Sequence, residues 1–84
     1  MKKHYRKAFN ALKKIGAPVI EGGDHGEDTF RISAEDNTGD KTWADYHDQA
    51  IGLFGVCDEI TNILKENKLF AEWINPGVLG VYDA

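Results

Sequence analysis

The chain reads as an α+β domain: a two-layer fold with an antiparallel sheet of three to five strands and two helices on one face, in the order α-β-β-β-α-β-β. Three observations predict it. Two stretches repeat apolar residues at helical spacing, residues 5–15 and 56–64. Between them, Phe30, Ile32 and Ala34 alternate with Thr29, Arg31 and Ser33, the pattern of a strand buried on one side. After the second helical stretch, two β-rich runs flank Asn75-Pro76-Gly77, a strong turn signal. Two one-sided helices and a one-sided sheet bury their apolar faces by packing as two layers.

In the first helix Tyr5, Ala8, Phe9, Leu12 and Ile15 form the apolar stripe, and Lys3, Lys7 and Lys14 occupy another face. Gly16 caps its C-terminus, and Pro18 prevents its resumption. Pro18 to Glu21 is a short strand, residues 22–28 a turn cluster, Thr29 to Ala34 the second strand, and Glu35 to Lys41 a polar loop. Trp43 to His47 reads as a third strand, with Trp43, Asp45 and His47 opposite Ala44 and Tyr46. In the connection 48–55, Ile51, Leu53 and Phe54 are expected to cover the core.

The second helix carries Val56, Ile60, Ile63 and Leu64 on one face. Asp58 and Glu59 suit its positive N-terminal end, and either Cys57 or Asp58 is its N-cap. Asn67 is expected to stop it in the left-handed conformation. Phe70 to Ile74 and Val78 to Tyr82 form the closing hairpin, with glycine at a positive φ in a type II turn.

A chain of 84 residues makes one domain with a modest core. One cysteine permits neither an intramolecular disulfide nor a thiolate metal cluster, and fits a reducing cytoplasm. No apolar run reaches membrane-spanning length, and no signal-peptide core follows the basic start, so no membrane partner is expected. The net charge of −4 is unevenly spread. Residues 1–14 hold six Lys/Arg and no acid, whereas residues 21–48 hold nine Asp/Glu against Arg31 and Lys41. Such blocks attract each other within or between copies, each exposed pair contributing under about 1 kcal/mol.

Three chemistries are open to these residues. The α-β-β-β-α order invites comparison with double-stranded RNA binding, but the second helix opens Asp58-Glu59 and the connection before it carries no Lys or Arg. That leaves Lys3, Lys7, Lys13 and Lys14 of the first helix as the candidates for nucleic acid, against the simpler reading of a solvated face. For a metal-dependent enzyme the candidates are Asp24, His25, Asp45 and His47, since carboxylates and imidazoles suit Mn, Fe or Zn. Their spacing matches no familiar ligand pattern, and no cofactor is indicated. Cys57, near a helix N-terminus, reads as a small buried residue rather than a nucleophile. Most of Trp43, Tyr46, Phe54, Trp73 and Tyr82 are expected in the core, while the strand 70–74 is expected to leave an aromatic exposed beside an unpaired edge. Trp43, Tyr46 and Trp73 are therefore candidates for protein contact, as are Asp24, Glu27 and Asp28 of the acidic turn.

Ala11-Leu12-Lys13-Lys14-Ile15-Gly16-Ala17-Pro18-Val19, Ile32-Ser33-Ala34-Glu35 and Ala71-Glu72-Trp73-Ile74-Asn75-Pro76-Gly77-Val78-Leu79-Gly80-Val81-Tyr82 together resemble small proteins of tailed phages, particularly those infecting marine cyanobacteria. The resemblance spans most of the chain and implies viral origin and residence in the host cytoplasm. It implies no activity and carries over no functional residue. The expectation that follows is a small acidic, non-enzymatic module that binds a host or phage protein, or a second copy of itself. In that setting the acidic segment 21–48 suits a basic surface that otherwise meets nucleic acid.

Overall fold

The computed structural model describes residues 1–22, 28–35 and 42–84. Helix α1 spans Lys3–Lys14, followed by strands β1, Val19–Glu21, and β2, Phe30–Ser33. Helix α2 spans Asp58–Glu66 and leads into strands β3, Leu69–Asn75, and β4, Val78–Asp83. The four strands form one antiparallel sheet in the order β1-β2-β4-β3. The expected α+β class and the two helices at their expected places are present.

The core follows from the periodicities. Tyr5, Ala8, Phe9 and Leu12 of α1 and Ile60 and Leu64 of α2 are buried against Phe30, Ile32, Leu69, Leu79 and Val81 of the sheet. Val19↔Ile32, Ile32↔Leu79, Leu79↔Trp73 and Val81↔Ala71 stand opposite each other, so one face of every strand meets the helix layer. Phe9 meets Phe30 edge-on at 5.4 Å between centroids. Each fully buried large side chain contributes about 1.5–3 kcal/mol of transfer free energy. The other face carries Ile20, Arg31, Val78, Tyr82, Phe70 and Glu72 by the same registers.

α1 ends in a Schellman motif, and α2 ends with only its inner bond, Lys68 N–H to Lys65 O. At α1, Gly16 has φ 91°, its N–H reaches Lys13 O, and Ala17 N–H reaches Leu12 O. Ile15 falls one residue beyond the helix and is exposed. At α2, Cys57 is the N-cap residue and Asn67 the C-cap, with φ −104°. The left-handed residue is Lys68, φ 60°, one position later than expected. Asn67 instead turns its side-chain amide onto Ile63 O at 2.8 Å.

Two further expectations change. Residues 43–47 do not form a strand: Ala44 makes a single antiparallel bridge with Val56, and residues 46–47 turn away. The flanks of this bridge pair as well, Asp45 N–H to Gly55 O and Cys57 N–H to Trp43 O. The β3–β4 turn does not place Gly77 at positive φ; among the described residues the glycines at positive φ are Gly16, Gly22 and Gly55. Its Asn75 side chain accepts from Gly77 N–H at 2.8 Å, an Asx turn that needs no left-handed residue, and the register shifts between Trp73 and Asn75.

Candidate functional site

The sequence-nominated residues separate into three places. Asp24, His25 and Glu27 lie outside the described residues, while Asp28 is exposed. Asp45 and His47 do not share a strand face, because no strand forms there. Asp45 Oδ1 instead accepts the His47 backbone N–H at 2.9 Å, and Asp48 Oδ1 accepts Ala50 N–H at 3.0 Å to open a short helical turn, Gln49–Ile51. Among the described residues no group of three or more His, Cys, Asp or Glu converges as a metal site. Cys57 is buried.

Several cations of α1, and Lys2 just before it, are committed to local partners. Arg6 pairs with Glu21 at 2.8 Å, the attraction between the basic and acidic blocks, and Lys2 lies 3.7 Å from Asp83. Arg6 and Lys13 both sit over the Phe9 ring. His4 Nε2 meets Asp83 Oδ1 at 2.6 Å. This contact, with hydrogen bonding from Tyr5 and the nearby Lys2, holds the Asp83 carboxyl below its ordinary value. Burial, with the Asp83 carboxylate adding to it, pushes the Tyr5 phenol up. The cluster ties the start of α1 to the end of β4.

Of the aromatic candidates, Tyr46 and Trp73 come together along β3. Trp43 is only 5% exposed and belongs to the core, so it presents nothing to a partner. Tyr46 and Trp73 meet edge-on at 5.4 Å. The Trp73 indole N–H donates to Phe54 O at 2.7 Å. Phe54, expected to cover the core, is 65% exposed, and Leu53 beside it is 60% exposed.

The tip formed by these two residues has a covalent cause. A Cβ on Gly52 would collide with the Val56 carbonyl, and one on Gly55 with the Asp45 carbonyl. Glycine at both positions lets the backbone fold back on itself, and the two residues between them are forced outward. Phe54 is held at φ 56°, ψ 26°. A bulky residue in that region costs about 1–2 kcal/mol, and such strain persists where the surroundings fix it. Here the indole hydrogen bond supplies part of that fixing.

Between this tip, α2 and β3 runs an apolar groove of about 350 Å³, with Leu53, Phe54, Val56, Leu64, Leu69 and Phe70 among its walls. It continues over Ala71 to Trp73 as a second depression of about 390 Å³. Phe70 and Tyr82 pack together at 5.7 Å on the outer face, both partly exposed. Single exposed apolar residues are ordinary; a contiguous set beside a groove marks a contact surface.

β3 is also an edge strand. Ala84 N–H donates to Lys68 O at 3.0 Å, which makes that opposed pair a hydrogen-bonded one. Alternation then places hydrogen-bonded pairs at Phe70–Tyr82 and Glu72–Gly80. The backbone N–H and C=O groups of Leu69, Ala71 and Trp73 therefore point away from β4, out of the sheet.

The tryptophan expected to stand exposed on this strand, Trp73, is half-buried against the core; the exposed ring of β3 is Phe70, and Leu53 and Phe54 were not among the residues expected at the surface. The available signal was the Gly52-Leu53-Phe54-Gly55 pattern, two large apolar residues enclosed by glycines. No protein-family model matches the chain, and no curated protein or solved structure is significantly similar to it. No helix among the described residues is long and apolar enough to cross a membrane.

Proposed function

We propose that this chain is a non-enzymatic protein-binding module, encoded by a tailed phage and acting in the host cytoplasm, with the β3 edge and the Leu53–Phe54 groove as its contact surface. The observation that carries the reading is Phe54. A strained, exposed aromatic clamped by an indole hydrogen bond contributes little to the core, and buried aromatic anchors dominate protein interfaces. The viral origin rests on the sequence resemblance alone, and the cytoplasmic setting on that resemblance and the single cysteine.

Affinity capture from host lysate tests the reading with paired variants. Phe54→Ser and Phe70→Ser should each lose a protein that the wild-type chain retains, whereas Glu59→Ser on the exposed face of α2 should keep it. Retention indifferent to both groove substitutions would refute the assignment.

A further inference from the structure

We infer that the occupant of the β3 edge is a second copy of this chain, joined by antiparallel pairing of β3 with the partner's β3 about a two-fold axis at Phe70. The inference rests on the reading of that edge as a protein-binding surface.

The two edges of the sheet are unlike. β1 is three residues long and follows Pro18, which has no N–H, so it offers little to pair with. β3 is seven residues long, and its bulge and proline lie only beyond Trp73. Over Leu69 to Trp73 the single charged residue is Glu72. No described residue outside β4 supplies a backbone hydrogen bond to this stretch.

Symmetry and the outward-pointing groups restrict the register. An axis at Phe70 sets Leu69 opposite the partner's Ala71, and Ala71 opposite the partner's Leu69. Both are hydrogen-bonded pairs made from the groups that point out of the sheet. Phe70 then stands opposite the partner's Phe70 at the close, non-hydrogen-bonded position, where side chains interact most strongly. Lys68 stands opposite the partner's Glu72, and Glu72 opposite the partner's Lys68. Lys68 and Glu72 are exposed, and neither belongs to an ion pair among the described residues. Tyr82, already against Phe70, extends the contact into a row of four rings across the joined sheet. The competing registers are poorer: an axis at Ala71 sets Phe70 against Glu72, and one at Glu72 sets two carboxylates face to face. The edge is self-complementary in apolar surface, charge and hydrogen bonding at one register.

Sedimentation equilibrium across about 1–200 µM protein tests this, with circular dichroism confirming that every variant folds. The wild-type chain should dimerise. Lys68→Glu and Glu72→Lys should each weaken association at least about tenfold, because each turns two ion pairs into two repulsions. The double variant Lys68→Glu/Glu72→Lys should restore it to within about threefold of wild type, since the pairs re-form reversed. A dimer indifferent to both single reversals, or one the double variant fails to restore, would overturn the register. A monomer throughout overturns the second copy. If that monomer still captures another protein in a Phe54- and Phe70-dependent manner, the contact-surface reading survives; if it captures none, both fail.

Discussion

Lys68→Gly should make the protein more stable, although it deletes a charged residue at a helix C-terminus. Lys68 occupies the position after the C-cap of α2 at φ 60°, where α1 has Gly16 at φ 91°. A side chain with a Cβ costs about 1–2 kcal/mol in that region relative to glycine. Glycine returns about 0.4–1 kcal/mol of this through its greater freedom in the unfolded chain. Both backbone hydrogen bonds, Lys68 N–H to Lys65 O and Ala84 N–H to Lys68 O, are available to glycine, and the lysine side chain is exposed. The net gain is about 0.5–1 kcal/mol, a rise of roughly 3–6 °C in Tm for a domain of this size. Thermal and urea melts followed by circular dichroism at low protein concentration measure it without interference from association. Lys65→Gly, three residues earlier and inside α2, is the internal control. It should lose about 1 kcal/mol, because glycine in a helix costs that much. If both variants lose stability alike, Lys68 is not in the left-handed conformation.

Trp73→Phe keeps a ring but removes the donor to Phe54 O, and should cost about 0.5–1.5 kcal/mol with faster amide exchange at residues 53–56. Unchanged exchange there would show that the indole does not hold the tip. Gly55→Ala places a Cβ against the Asp45 carbonyl at φ 78°, and should cost at least about 1–3 kcal/mol in denaturant melts; a neutral result would contradict the tight turn. Asp83 titrates below its ordinary 3.8, so its contribution is present above that pH and is lost as pH falls through the depressed value. Carboxyl NMR titration should find the Asp83 midpoint shifted upward in His4→Ala; an unmoved midpoint would remove His4 as the cause. Tyr5 runs the opposite way: its raised phenol costs stability as pH climbs past the ordinary 10.0.

The parts legible in the sequence were those carried by local periodicity. Phe9, Leu12, Ile60 and Leu64 share a face because 3.6-residue spacing demands it, and Phe30 and Ile32 because strands alternate. The parts that were not legible depend on tertiary pairing. Trp43 to His47 has strand composition, yet a strand exists only where a neighbour supplies a ladder, and among the described residues Ala44 bridges Val56 alone. Leu53 and Phe54 look like core by composition, and only the backbone approaches at Gly52 and Gly55 turn them outward. Trp43 shows the reverse: nothing local distinguishes it from Trp73, but it is buried in the core. The order of strands in the sheet, which makes β3 an edge and gives the candidate surface its open side, was not legible from any one segment.

Site-specific photocrosslinking addresses the central claim most directly. A benzoylphenylalanine in place of Phe70 should crosslink to a protein partner, a second copy included, when irradiated in the cells that express the chain. The same group in place of Asn10, exposed on α1 away from the groove, should not. Crosslinks from position 10 with none from position 70 would contradict the assignment of the β3 edge as the surface through which this protein acts.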